Sequence, residues 1–181
     1  MTSEEALAIE VEPAVRDDLD FARRSDAYLS RALGLAFYLL GDTHEAEDAT
    51  QEAMTRAWKA RRSLRQIESF DAWVDRIVVN SCRERMRHRR NIREIALPEG
   101  AEPEAMDGYG ALLARDSIGR ALGELTLDQR AVVILRYWRD LSLEQIAERL
   151  GWPLGTVKPR LHYALAALRE RLERDEAEVL R

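Results

Sequence analysis

The residues with chemical potential in this chain are three histidines, one cysteine and a file of carboxylates. Glu45, Asp48 and Glu52 recur at helical spacing, so one helix face can carry all three. Carboxylates grouped in this way serve acid–base work or hold a cation, and His44 adjoins Glu45. Against an enzyme, His44, His88 and His162 fall on separate segments, and no HExxH spacing, P-loop or GxGxxG occurs. Cys82 stands alone, which excludes a disulfide framework and a cysteine zinc site within one chain, and its apolar neighbours mark it as core rather than a redox sensor. No cofactor is expected. The carboxylates then read as a solvated or protein-binding face.

The cations point elsewhere. Lys and Arg number 28 against 33 Asp and Glu, a formal net charge of −5, which excludes a uniformly basic histone-like protein. Yet the run 83–93 holds Arg83, Arg85, Arg87, Arg89, Arg90 and Arg93 against Glu84. Clustered arginines repel, and a polyanion relieves that repulsion with counterion release as the driving force. A solvated helix end, its cations favoured by the C-terminal dipole, is the alternative. In 59–76, Trp58, Phe70 and Trp73 bracket Lys59, Arg61, Arg62 and Arg65. Aromatics among cations stack unpaired bases while the cations hold the backbone, although Trp58 and Trp73 at helical spacing also suit a core.

The most specific local pattern is SLEQIAERLGWPLGTVKPRLHYALAAL, residues 142–168. A helix-turn-helix needs a small residue where its helices cross, and Ala147 supplies it. It needs a left-handed turn four residues later, where Gly151 stands. Ile146, Leu150, Val157 and Leu161 pin the crossing, leaving Thr156, Lys158, Arg160, His162 and Tyr163 to face outward. Polar, cationic and aromatic groups on such a helix suit the major groove and its flanking phosphates.

The elements that position these groups are all helical. Neither Gly nor Pro interrupts 42–97, and strand-like alternation is absent. Tyr28, Leu29, Ala32, Leu33, Ala36, Phe37 and Leu40 mark one helix that Gly41 stops. Asp42 or Thr43 caps a second, which buries Ala46, Ala49, Ala53, Ala57 and Trp58. Ser69 caps a third, with Phe70, Trp73, Ile77, Val78 and Cys82 inward. Thr126 with Gln129, and Ser142 with Gln145, form capping boxes that start helices near 127 and 143. Pro98, Gly100, Pro103, Gly108 and Gly110 crowd among acidic residues, a linker composition. The expectation is an all-α chain of two small helical domains, loosely joined: an acidic tail or short helix over 1–24, a helical bundle over 25–95, a flexible linker over 96–118 and a helix-turn-helix domain over 119–181. The start lacks the basic and apolar stretches of a signal peptide, and the longest apolar run, Ala32–Gly41, is about 10 residues, half a membrane span. A cytoplasmic location is expected.

Taken in order, these segments resemble a group 4 (extracytoplasmic function) sigma factor of bacterial RNA polymerase over residues 25–175. YLLGDTHEAEDATQEAMTRAW (38–58) is similar to the family's region 2.1–2.2, FDAWVDRIVVNSCRERMRHRR (70–90) to region 2.3–2.4, and LTLDQRAVVILRYWRDLSLEQIAERLGWPLGTVKPRL (125–161) to region 4. The resemblance implies region 2-like and region 4-like domains. It implies that Glu45, Asp48, Gln51, Glu52 and Arg56 dock on core polymerase at its clamp helices, with the flap as a second contact. It implies that Arg61, Arg62, Arg65, Ser69 and Phe70 help capture a flipped base of the −10 element. Arg76, Asn80, Arg83 and Arg87 would contact that element and upstream phosphates. Thr156, Lys158, Pro159, Arg160, His162 and Tyr163 would meet the −35 duplex, with Lys158, Pro159 and His162 facing bases. Promoter DNA and an anti-sigma factor are the further partners implied.

Pro159 departs from the family pattern, which usually has serine there. If the helix starts at Pro153, Pro159 lies inside it and costs about 3 kcal/mol; if Thr156 caps, Pro159 sits in a tolerant first turn. Local distortion near Gly155 with the helix-turn-helix retained is expected. Two rival readings stay open. One is a one-component regulator, a helical sensor joined to a helix-turn-helix. The other is a helical-bundle metal enzyme using His44, Glu45 and Asp48.

Overall fold

A computed structural model of the chain describes residues 13–64, 70–96 and 117–179. Among them are seven α-helices and no strand: α1 (Pro13–Leu40), α2 (Thr43–Ala60), α3 (Phe70–Ala96), α4 (Ser117–Glu124), α5 (Leu127–Tyr137), α6 (Leu143–Leu150) and α7 (Leu154–Val179). A single 3₁₀ turn, Arg61–Ser63, follows α2.

The first three helices form one bundle. Tyr28, Ala32, Leu35, Ala36, Leu39 and Leu40 are the buried stripe of α1, whereas Leu29 is left outside. Gly41 at φ 73° ends the helix, and Asp42 rather than Thr43 caps α2 by accepting the Glu45 N–H at 2.8 Å. Along α2 the buried positions are Ala46, Ala49, Thr50, Ala53 and Ala57. Such small side chains let neighbouring backbones approach closely, and α1 and α3 pack on either side. Trp58 is not part of that stripe; it is 42% exposed, because its ring rides on the bundle edge against Phe21. On α3 the inward set is Phe70, Val74, Val78, Val79 and Cys82, with Trp73 and Ile77 half-buried beside it. Burial pushes the Cys82 thiol up to about 12. Cys82 is therefore expected to resist thiol reagents in the folded chain and to react promptly once urea unfolds it, which a timed alkylation assay measures.

Sequence reading sets residues 1–24 apart as a tail or short helix, but α1 already begins at Pro13 and runs unbroken to Leu40. Phe21 is the reason: it is buried, with edge contacts to Phe70 and Trp73 as well as Trp58. Asp18 adds a two-pronged pair with Arg61, at 2.5 and 3.0 Å. At the other junction α3 extends to Ala96 and α4 opens at Ser117, so the described helices take up both ends of the expected 96–118 linker. Its middle, 97–116, lies outside the described residues.

The later helices form the second unit. Both capping boxes are present, with Thr126 starting α5 and Ser142 starting α6. Ile146, Leu150 and Val157 pin α6 against α7. Gly151 makes the turn at φ 67°, while the Trp152 N–H donates back to the Ala147 carbonyl at 2.9 Å. Because α7 starts at Leu154, Pro159 is interior. It offers no N–H to the Gly155 carbonyl, yet the helix continues through it.

Where loosely joined halves are expected, α3 packs on α6 and α1 on α5, and one hydrophobic cluster runs from Phe21 to Val157 across both units. The Trp138 ring tip lies so close to Gly34 that a Cβ there would come within 2.7 Å of it. Arg130 is fully buried and donates to four backbone carbonyls: Leu39 at the end of α1, and Leu122, Gly123 and Leu125 around the end of α4. The negative ends of two helices thus solvate one guanidinium.

Candidate nucleic-acid interface

Three charged surfaces surround this core. On α2, Arg85 of α3 donates to Glu45 at 2.7 Å and to Asp48 at 2.9 Å. Arg56 bridges Glu52 and Glu84, both at 2.5 Å. Hydrogen bonding to Arg56 holds the Glu84 carboxyl below its ordinary range. Asp48, Gln51, Glu52, Thr55, Arg56, Lys59 and Arg85 line one shallow polar recess. The five α2 residues singled out from sequence are therefore together on one face. Arg85, read as part of a nucleic-acid-binding run, turns toward those carboxylates instead, because a helix distributes 83–90 around its circumference. His44 lies away from this recess, 3.9 Å from Glu47.

The second surface is the outer face of α3. Arg76 and Asn80 are exposed there, one turn apart, and Arg87 follows about two turns after Asn80. Arg83 is held inward: its Nε donates to Asp128 of α5 at 2.8 Å, its Nη1 to Asn80 at 2.8 Å, and its guanidinium lies 4.9 Å from the Trp152 ring centroid. Arg76 donates to the Arg149 and Glu148 carbonyls at the end of α6. Arg61 stacks on Trp58 at 3.9 Å while gripping Asp18, and Arg62 is exposed beside it. Phe70 takes the inward place of its helix register and not an open position beside the cations. It is 2% exposed, sealed by Phe21, Tyr28 and Trp73, and so offers no ring face to a base. Arg65 and Ser69 lie outside the described residues.

The third surface is the outer side of α7. Lys158, Pro159, His162 and Tyr163 are exposed, and Thr156 is half-buried at the helix start. The rings of His162 and Tyr163 meet edge to face at 5.6 Å. Arg160 lies apart from that group. It stacks on Trp152 at 4.1 Å and approaches Asp128 at 3.4 Å.

Sequence reasoning missed the residues that join the halves. Asp75 of α3 is wholly buried; it accepts from Tyr28 at 2.7 Å and from Arg149 of α6 at 2.5 Å, with Arg139 at 3.6 Å. Burial, with the Asp75 charge second, drives the Tyr28 hydroxyl pKa upward, so the hydroxyl stays a donor. The signal was available: Asp75 shares the inward register of Val79 and Cys82, where an aspartate demands partners. Trp152, between the turn glycine and Pro153, carried no comparable cue.

Comparison with known proteins matches each half to a family model. The sigma-70 region 2 family model matches residues 25–92, and the sigma-70 region 4 model matches 121–170. The ECF RNA polymerase sigma factor SigW of Bacillus subtilis is 33% identical over 167 residues, covering 84% of this chain and 88% of that one. SigL of Mycobacterium tuberculosis is 36% identical over 145 residues, covering 76% of this chain and 80% of its own. Among solved structures, the sigma factor RpoE of Bartonella quintana, in complex with the anti-sigma factor NepR, superposes with a TM-score of 0.67 at 27% identity; the match covers 85% of this chain and 97% of that one.

Proposed function

Because this chain belongs to the extracytoplasmic-function sigma factors, it directs promoter-specific transcription by RNA polymerase, and we propose that its two helical halves divide that work. The α2 face of Glu45, Asp48, Gln51, Glu52 and Arg56 docks on the clamp helices of core polymerase, with the flap as a second contact for the α4–α7 half. Residues 25–95 then hold the opened −10 element through Arg61, Arg62, Arg65, Ser69, Arg76, Asn80, Arg83 and Arg87. Residues 119–181 read the −35 duplex through Thr156, Lys158, Pro159, Arg160, His162 and Tyr163, joined to the first half by the 96–118 linker. At Pro159 the contact is apolar only. The chain does no covalent chemistry: binding energy from two DNA contacts, spaced by polymerase, offsets the few kcal/mol needed to unstack a base. It acts in the cytoplasm, where polymerase is, and no helix among the described residues is long and apolar enough to cross a membrane. A relative of this fold is held by an anti-sigma factor, and a partner of that kind fits this chain too.

The observation that carries this reading is the order, in one chain, of a carboxylate-lined α2, a cation-bearing α3 and a helix-turn-helix. Reconstituted transcription with core polymerase on a genomic promoter library tests it. A one-component regulator would bind duplex and yield no promoter-specific initiation. Within that assay Lys158→Ala is expected to lower −35-dependent initiation about tenfold, in line with the 1–3 kcal/mol of a specific base contact. Unchanged output would remove Lys158 from the −35 surface.

A further inference from the structure

We propose that Asp18 is a positioning residue for promoter opening: by gripping Arg61 it braces the 61–63 turn, so that Arg62 is presented to the opened −10 strand while Arg61 serves the turn and not the DNA. The inference rests on the assignment of this segment to the −10 element given above, and it changes what Arg61 does there. All three nitrogens of that guanidinium are engaged inside the chain. Nε and Nη2 donate to the two carboxylate oxygens of Asp18 at 2.5 and 3.0 Å, and Nη1 donates to the Trp58 carbonyl at 2.9 Å. Its flat face lies on the Trp58 ring at 3.9 Å. The side chain is 18% exposed, so little of it is left for a phosphate. Arg62, the next residue, is exposed.

A three-residue 3₁₀ turn holds itself weakly, because it is short and its hydrogen bonds are poorly aligned. Within it, the Leu64 N–H donates to the Arg61 carbonyl at 3.1 Å and the Ser63 hydroxyl to the Ala60 carbonyl at 2.7 Å. What fixes the turn against the bundle is the start of α1. Phe21, about one turn after Asp18, meets Trp58 and Phe70 edge-on at 5.7 and 5.5 Å. Trp58 thus touches Phe21 and Arg61 together, and Asp18 ties Arg61 down. The hydrogen bonds from Arg61 hold the Asp18 carboxyl below its ordinary range, so the pair stays ionised. A planar two-pronged pair fixes direction as well as distance. A turn ordered in advance loses less freedom when it meets a strand. The first turns of α1, set apart from the bundle in sequence, thereby gain a task within it.

Holoenzyme reconstituted from core polymerase and the full-length chain tests the brace, with permanganate reactivity of promoter thymines as the readout of opening. Asp18→Asn removes the charge and keeps the shape at a half-buried position, so circular dichroism should match wild type. It is expected to slow opening about tenfold, the effect of ordering one or two side chains at the moment of binding, with polymerase association and closed-complex affinity unchanged. Asp18→Glu, which keeps the carboxylate, should recover most of the rate. Arg61→Lys keeps the charge and loses the fork, so it should open as slowly as Asp18→Asn, and the double variant no more slowly than either. Should Asp18→Asn lose helicity, Arg61→Lys carries the test alone. A phosphate contact by Arg61 gives the opposite signs: Asp18→Asn would free the arginine, tighten promoter binding and steepen its salt dependence, and Arg61→Lys would open promoters nearly as wild type does. Either of those results, or an Asp18→Asn variant that opens promoters at the wild-type rate, overturns the proposal and leaves the sigma assignment standing. A wild-type chain that does not associate with core polymerase removes the assignment itself.

Discussion

Replacing Arg130 with methionine lowers the unfolding free energy by about 3–5 kcal/mol, the range for stripping the partner from buried polar groups. The side chain is fully buried, and its Nε, Nη1 and Nη2 donate to four carbonyls around the ends of α1 and α4. A hydrophobic replacement often suits a buried ion pair, because both charges leave together. Here the acceptors are backbone carbonyls of Leu39, Leu122, Gly123 and Leu125, which no substitution removes. Methionine fills much of the volume and satisfies none of them. Urea unfolding followed by circular dichroism reads the loss, and thermal unfolding should fall by about 10 °C. A change below about 1 kcal/mol would mean that water or another donor reaches those carbonyls, and that Arg130 is not what ties the two units together.

Reversing the charge of Asp48 and Glu52 together, as Asp48→Arg with Glu52→Arg, is expected to weaken association with core polymerase about a hundredfold. Like charges placed against a complementary surface cost several kcal/mol, and each 1.4 kcal/mol is tenfold in affinity. Inside the chain the damage is small. Asp48 is largely exposed, and its pair with Arg85 leaves Glu45 still bonded to that arginine. Glu52 shares Arg56 with Glu84, which keeps the bridge to α3. Exposed pairs of this type contribute at most about 1 kcal/mol each to stability. Circular dichroism should therefore match wild type, and duplex binding through α7 should be retained. Equal loss of helicity would assign the effect to folding instead.

Much of this fold was readable from sequence because its decisive signals are local. Thr126 with Gln129 and Ser142 with Gln145 satisfy their own helix starts within four residues, whatever surrounds them. Gly151 and Ala147 likewise mark the turn and the crossing. Phe21 was hidden because charges crowd that part of α1, and only its distant partners Phe70 and Trp73 make it core. Phe70 carries two sequence patterns at once, an inward helix register and a place beside cations, and its distant partner Phe21 decides for the core. The contact between the halves was the least legible feature. Asp75 meets Arg149 across 74 residues of chain, and Arg130 reaches Leu39 across 91. Spacing along a helix names a residue that needs a partner; it does not say which distant residue arrives.

The central claim is that one half grips polymerase and opened strands while the other reads duplex. Mixing the purified full-length chain with core RNA polymerase, then separating free from bound by size, tests it most directly. The account predicts a stoichiometric complex that starts transcripts at a defined subset of promoters and that the Asp48→Arg, Glu52→Arg variant does not form. A wild-type chain that binds duplex DNA yet elutes apart from polymerase would contradict it.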